Sequence, residues 1–464
     1  MSGSSPRPGL FSTSPFLAFA GFGVFWGVWG ACLPLLRAHA GVGDARFGVA
    51  LLLVGAGALP AMLLTGRLVD AVGLRVAGML LALLGVSGVV LCAISTGYAG
   101  LCAGILAVGA ASGASDVAIN TLAATVEKRT ARPVVARSHA AFSAAVAASS
   151  LAAGALAAAT GSLLAAFTAA AALVAAVAVT VVTATRPAAV RTGAGAPRTD
   201  IDVPQAAGPD GRRADARRAW DAAGRPSAEP EGRSDQARAG FRAVTGTSAR
   251  PRRRGGAGRL PGGGALVVIG GIGALAFAAE NAFQTWGAVL LADAFSASPA
   301  VAAVAPAAFA ATAALARLAG GPVMLRRPIA ALVTSGLIAT AGGVLTAVAP
   351  SLPIALAGVV AAALGTATLF PTLLSYGLRP VPDAFRGRAT SAVSTVAYLG
   401  FLAGPAYFGM LADAGGVQRA FLGVAALTGV LLATLPVLPR LSRPATDHER
   451  ASRGGDGAPE RVPC

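Results

Sequence analysis

Two carboxylates stand out because they fall where water is scarce. Asp116 and Glu280 lie within or at the ends of long apolar stretches, and each is followed four residues later by an amide, Asn120 and Gln284. Residues four apart share one face of a helix, so each pair presents a carboxylate beside an amide. A carboxylate left in hydrocarbon is costly, so such a group belongs in a cavity, an interface or a charge pair. A dry setting also favours the protonated form of a carboxyl group, which would let it take up and release a proton. Glu280 and Asp116 are therefore the candidates for proton coupling. Asn281 and Trp286 add hydrogen-bonding capacity and apolar surface beside Glu280, while Trp26 and Trp29 are neighbours on one face of another apolar stretch. Trp26, Trp29, Asn120, Glu280, Asn281, Gln284 and Trp286 make up the candidate solute site. Plain packing is the competing reading for the Trp26–Trp29 pair, and for Asp116 it is a structural contact with Arg129 or Arg132.

Other chemistries lack their residues. No Gly-x-x-x-x-Gly-Lys-Ser/Thr loop is present to cradle a nucleotide, and no nucleophile elbow or histidine arrangement suits hydrolysis. The three histidines, His39, His139 and His448, and the four cysteines, Cys32, Cys92, Cys102 and Cys464, form no ligand cluster and no close pair. The sequence thus implies no enzyme, no cofactor and no metal.

The elements that must hold these residues are membrane helices. Mean hydropathy is +0.68, and 12% of the 464 residues are charged, about half the share of an ordinary soluble chain. The apolar content is gathered into blocks long enough to cross a bilayer. Twelve are expected, near Pro15–Leu36, Phe47–Leu64, Val76–Ile94, from Ala99 to about Thr125, Ala140–Leu163, Ala166–Thr185, from Gly263, Pro299–Leu318, Pro328–Ala347, Pro353–Leu374, around Tyr398–Gly409, and Ala420–Leu438. Between the sixth and seventh, residues 186–260 carry sixteen arginines against eight acids, with repeated prolines and no periodic apolar face; a disordered cytoplasmic linker is expected there. The expected organisation is a short tail (1–14), a six-helix half (15–185), the linker, a second six-helix half (261–438) and a polar tail (439–464). Short loops assigned to one side hold twelve lysines and arginines, Arg317 among them, against Arg37, Arg46 and Arg419 on the other. That bias puts both termini in the cytoplasm. The net charge of +17 follows the same loops and suits anionic lipid headgroups rather than nucleic acid.

Between the second and third stretches runs Gly66-Arg67-Leu68-Val69-Asp70-Ala71-Val72-Gly73-Leu74-Arg75. Gly66, Leu68, Asp70, Gly73 and Arg75 resemble the signature of the cytoplasmic loop between helices two and three of major facilitator superfamily transporters. Asp116-Val117-Ala118-Ile119-Asn120 together with the basic stretch Val126 to Ser143 resembles the fucose-permease-like branch, in particular bacterial inner-membrane members. The stretch from Glu280 through Leu291 is similar to the outer part of the seventh helix of that branch. The aspartate and tyrosine expected there at Thr285 and near Leu290 are missing, which leaves the binding chemistry open. Arg317 to Arg327 occupies the equivalent loop of the second half without its aspartate.

The resemblance implies an all-α membrane fold of two pseudo-symmetric halves that rock about a midplane site, with Gly66, Asp70, Gly73, Arg75, Lys128 and Arg129 as a conformational gating loop. Asp70 would pair there with Arg67, Arg75 or the Lys128–Arg129 pair. Gly400, Gly404 and Pro405 form either a packing kink or a hinge. The function implied is secondary active transport of a small organic solute by a monomer in the bacterial inner membrane. A proton-coupled, sugar-like cargo is favoured; export of drugs or metabolites, or a scaffold acting through its linker, are the alternatives.

Overall fold

Twelve helices in a computed structural model are long and apolar enough to cross a membrane. The structure describes residues 8–185 and 263–441; the linker, and nearly all of the expected tail after residue 438, lie outside the described residues. The first half comprises α1 (Pro8–Ala40), α2 (Asp44–Val72), α3 (Val76–Ile94), α4 (Tyr98–Thr130), α5 (Val134–Thr160) and α6 (Leu163–Ala184). The second comprises α7 (Gly263–Phe295), α8 (Val304–Arg326, preceded by the turn Pro299–Ala302), α9 (Pro328–Ala347), α10 (Leu352–Gly377), α11 (Asp383–Gly415) and α12 (Val417–Thr434). No strand occurs among the described residues.

The two halves repeat one another in their packing. In the first, α1 packs on α5, α2 on α4, and α3 on α4 and α6; in the second, α7 packs on α11, α8 on α10, and α9 on α10 and α12. Adding six to each helix number converts one set into the other, the mark of a duplicated bundle. Across the halves α2 meets α11, α5 meets α8, and α1 meets α7.

Small residues set how close these helices come. Where α1 crosses α5, a Cβ on Gly27 would strike the Val146 carbonyl and the Ser149 hydroxyl, and Ser150 Oγ donates to the Gly27 carbonyl at 3.0 Å. This contact fixes the α1 segment that bears Trp26 and Trp29. Where α7 crosses α11, Gly400 lies on the backbone of Ala274 and Gly404 on that of Ala278. Neither leaves room for a Cβ without displacement, so in this conformation both glycines serve close packing.

The halves clasp at one end only. Near the face bearing the 41–43 connection, a Cβ on Gly48 of α2 would lie 2.5 Å from the Pro405 carbonyl oxygen and 3.0 Å from the Gly409 Cα of α11. Gly154 of α5 abuts Pro299 and Ala303 in the same way. Toward the opposite face, which bears the 73–75 connection, α2 instead exposes Leu59, Leu63, Leu64 and Leu68, and α11 exposes Tyr398 and Leu399.

Helix ends differ from expectation at one informative place. Gly66, Arg67 and Asp70 belong to α2, which runs on to Val72. Leu68, Val69 and Val72 sustain the helix, and Gly73, at φ 86°, ends it with its N–H donating to the Val69 carbonyl. Only Gly73–Arg75 forms the turn.

Candidate functional site

A cavity of about 230 Å³ lies between the halves, walled by α1, α5, α7, α8 and α11. Trp26 and Trp29 form the α1 wall, their rings 5.8 Å apart and edge to face. Phe142, Ser143 and Val146 come from α5, Asn281, Gln284 and Thr285 from α7, Phe309, Ala313 and Arg317 from α8, and Phe401 from α11. Four of the seven residues expected in the solute site thus line one cavity: Trp26, Trp29, Asn281 and Gln284.

Glu280 stands at its edge in an ion pair. Arg317 Nη2 donates to Glu280 Oε1 at 2.7 Å, Gln284 Nε2 donates to the same oxygen at 3.0 Å, and Arg317 Nε donates to the Ala367 carbonyl at 3.1 Å. The Glu280 side chain is 9% exposed and that of Arg317 45%. The carboxylate is therefore tucked behind the guanidinium, and the cation faces the cavity. Asn281 is engaged within the fold. Its Nδ2 donates to the Phe401 carbonyl at 2.7 Å, and its Oδ1 accepts from Thr285 Oγ1 at 2.6 Å. These bonds tie α7 to α11 beside the ion pair and leave Gln284 as the exposed amide.

Arg317, expected at the inner edge of the eighth span where the loop begins, lies inside α8. The apolar run Leu318 to Leu325 carries the helix past it to Arg326, which leaves Arg317 a lone charge within a spanning segment. That run was the sequence signal for its depth, since an isolated charge inside a long apolar stretch marks a site. Without Arg317 the basic residues of the two sides stand at eleven to three, so the charge bias is unchanged. Phe142, Ser143, Phe309 and Phe401 were also missed, because hydrophobicity alone does not say which apolar face lines a cavity.

The remaining candidates lie elsewhere. Asp116 and Asn120 bond to each other on α4, Nδ2 to Oδ1 at 3.1 Å, and do not line the cavity. Arg129 is not the partner of Asp116; its guanidinium sits over the Phe11 ring at 5.1 Å. The Asp116 and Glu280 carboxylates both lie within electrostatic reach of Tyr398. Trp286 is wholly buried away from the cavity, stacked on Phe408 at 5.0 Å and edge-on to Phe47 at 5.8 Å. Asp70 makes no ion pair among the described residues, and Arg75 Nε donates instead to the Val72 carbonyl at 3.1 Å.

The clasped face carries an ionic contact of its own. Arg37, in the last turn of α1, pairs with Asp44 at the start of α2 and, at 2.6 Å, with Asp293 near the end of α7. One guanidinium thereby joins both halves, beside the Phe47–Trp286–Phe408 rings.

The family model described as Major Facilitator Superfamily matches residues 9–248 and 266–461. An uncharacterized transporter of Sinorhizobium fredii is 39% identical over 136 residues, covering 27% of this chain and 34% of that protein. An uncharacterized MFS-type transporter of Yersinia pestis is 34% identical over 144 residues, covering 30% of this chain and 36% of that protein. The chain thus spans about a third of the length of these curated relatives. Among solved structures, a bacterial homolog of the human lysosomal transporter Spinster, in an inward-facing and occupied conformation, superposes with a TM-score of 0.62 at 16% identity, over 95% of this chain and 98% of that one. The nucleoside transporter NupG gives 0.62 at 15% identity over 92% and 98%. A D-xylose–proton symporter gives 0.60 at 12% over 92% and 96%. At these identities the likeness is one of fold.

Proposed function

Because this chain belongs to the major facilitator superfamily, we propose that it is a secondary transporter that carries a small organic solute through the cavity between its halves by alternating access, coupled to protons at Glu280. It is a membrane transporter and not an enzyme. The observation that carries the reading is the Glu280–Arg317 pair: an ion pair between two spanning helices, its cation turned to a cavity that both halves wall. Intramembrane charges of this kind are expensive to keep and mark solute or proton pathways.

The conformation supports the cycle. Packing and the Arg37 pairs close the 41–43 face, and the positive bias of the other loops assigns that closed face to the outside. In this reading the described state is inward-facing, in the bacterial inner membrane with both termini cytoplasmic, and the outward-facing state requires Arg37 to release Asp293. The gating residues from Gly66 to Arg75 with Lys128 and Arg129 would close the inner face in that state. Gly400, Gly404 and Pro405 would absorb the change in α11. The two indoles offer a stacking wall for a cyclic cargo, and most of the surface around them is carbon.

The test uses protein with its native cysteines replaced and Ser143→Cys in the cavity, held in vesicles of either orientation and treated with a membrane-impermeant maleimide. Labelling from the cytoplasmic side is expected, with outside labelling appearing only when Arg37→Ala loosens the clasp. Equal labelling from both sides without that change, or none from either, would sink the alternating-access reading. For coupling, Glu280→Gln is expected to abolish the pH dependence of transport, and a variant that keeps it would remove Glu280 from the proton path.

A further inference from the structure

We propose that the cavity is built for a small solute bearing a carboxylate on an aromatic or alkyl body, and that this carboxylate replaces Glu280 on Arg317 while Glu280 takes up a proton. The inference rests on the transporter reading and names the cargo class of the same site.

The first observation is the sign of the available charge. Arg317 is the one fully charged residue among those lining the cavity, and the acid it pairs with among the described residues, Glu280, is tucked behind it. Of the five N–H bonds of a guanidinium, Nε–H is held by Ala367 and one on Nη2 by Glu280, which leaves three without a partner among the described residues. A guanidinium fork matches a planar carboxylate with two parallel bonds. A cationic solute would meet this group head on, and a neutral one gives it no reason to release Glu280.

The second observation is the rest of the wall. Beyond Arg317, Gln284 and the Ser143 hydroxyl, the contacts on offer are the rings of Trp26, Trp29, Phe142 and Phe309. A sugar would leave most of its hydroxyls without partners here, at a cost for each one dehydrated. Size narrows the class further. The volume of about 230 Å³ exceeds the ~150 Å³ cavity that takes benzene and falls short of the ~300 Å³ at which drug-sized pockets begin. One ring or a short chain with one acidic group fits.

Charge balance supplies the proton. With a solute carboxylate on Arg317 and Glu280 still ionised, two anions would share one cation out of water, and a like charge that close drives one of them to its neutral form. The solute carboxylate holds the guanidinium and stays ionised, while Glu280, nearly buried and without its cation, is the group that accepts the proton from water. The solute brings one negative charge and the proton one positive charge, so the loaded site has the net charge of the empty one. The other groups near this pair are Tyr398 of α11, beside Glu280, and His139 of α5, near Arg317; Asp116 of α4 lies on the further side, within reach of Tyr398. No charged residue occurs in α10, and Arg37 of α1 and Arg419 of α12 lie at the 41–43 face.

The experiment compares probes of one shape and different charge on the full-length purified protein. Benzoate, benzenesulfonate, benzyl alcohol, benzylamine, hexanoate and xylose are assayed by thermal shift and by direct binding at pH 5.5 and 7.5. Proton uptake is followed with an indicator in weak buffer. Benzoate and hexanoate are expected to stabilise the protein, to bind up to about tenfold more tightly per pH unit of acidification, and to draw close to one proton per site. Benzenesulfonate stays ionised throughout, so a pH dependence seen with it belongs to the protein. Glu280→Gln is expected to keep anion binding and lose both pH dependence and proton uptake, and Arg317→Gln to lose anion binding. Benzyl alcohol, benzylamine or xylose binding as well as benzoate, anion binding without proton uptake, or no binding of any anion would each overturn the proposal. The labelling of Ser143→Cys is read independently of any probe, so this proposal can fail while the transporter reading stands.

Discussion

Trp286 has no surface on the cavity, so its substitution reports packing alone. Its ring lies between Phe408 and Phe47, and its indole N–H has no hydrogen-bond partner among the described residues. Trp286→Ala is expected to cost about 3–5 kcal/mol, read as a lowered thermal midpoint. Trp286→Phe keeps an aromatic contact and removes an unpaired donor, so its cost should stay within about 1.5 kcal/mol. The same side chain shows how far the sequence could be read. Trp286 and Gln284 are two residues apart in one apolar stretch, and composition gives both the same promise. Two residues along a helix turn the side chain through most of half a circle, which places Gln284 in the cavity and Trp286 in the aromatic cluster. Arg317 marks a second limit. Its type and neighbours were legible, but its depth depended on whether the Gly320-Gly321-Pro322 run would stay helical.

The α2–α11 crossing is where side-chain volume decides which face of the bundle is shut. Gly48 and Gly409 bring two backbones together at the 41–43 face, and any larger residue must push them apart there. Gly48→Leu is expected to shift the protein toward the state open at that face. The measurement is the rate of Ser143→Cys labelling from outside, with a rise of about tenfold or more for a bias of ~1.4 kcal/mol; an unchanged rate would show that the crossing does not hold the face closed. The helices themselves were readable because hydropathy and length define a span with little ambiguity. Their ends were not, as the run of α2 through Gly66 and Asp70 to Val72 shows: charged residues at a membrane surface continue a helix as readily as they leave it.

Both halves are complete within the described helices, and the contacts described between them are made by α1, α2, α5, α7, α8 and α11. A deletion of residues 190–255 leaves about a dozen residues between α6 and α7, a reach of up to about 40 Å. Solute flux by this variant in proteoliposomes is expected to stay within about twofold of the full chain, and its loss with the protein still folded would favour a role for the linker itself. The pseudo-symmetric bundle was legible from twelve spans and one recurring loop pattern, whereas the cavity, made by faces from five helices of both halves, has no local signature. The placement of the indoles has an optical consequence. Of the four tryptophans, Trp26 and Trp29 stand on the cavity wall and Trp286 is sealed among rings. Indole emission moves to shorter wavelength as water leaves its surroundings, so cargo displacing water would blue-shift the α1 pair. Parting of the clasp would red-shift Trp286. Filling and opening thus acquire spectral signs of opposite direction, and single-tryptophan variants separate the two events without an added dye.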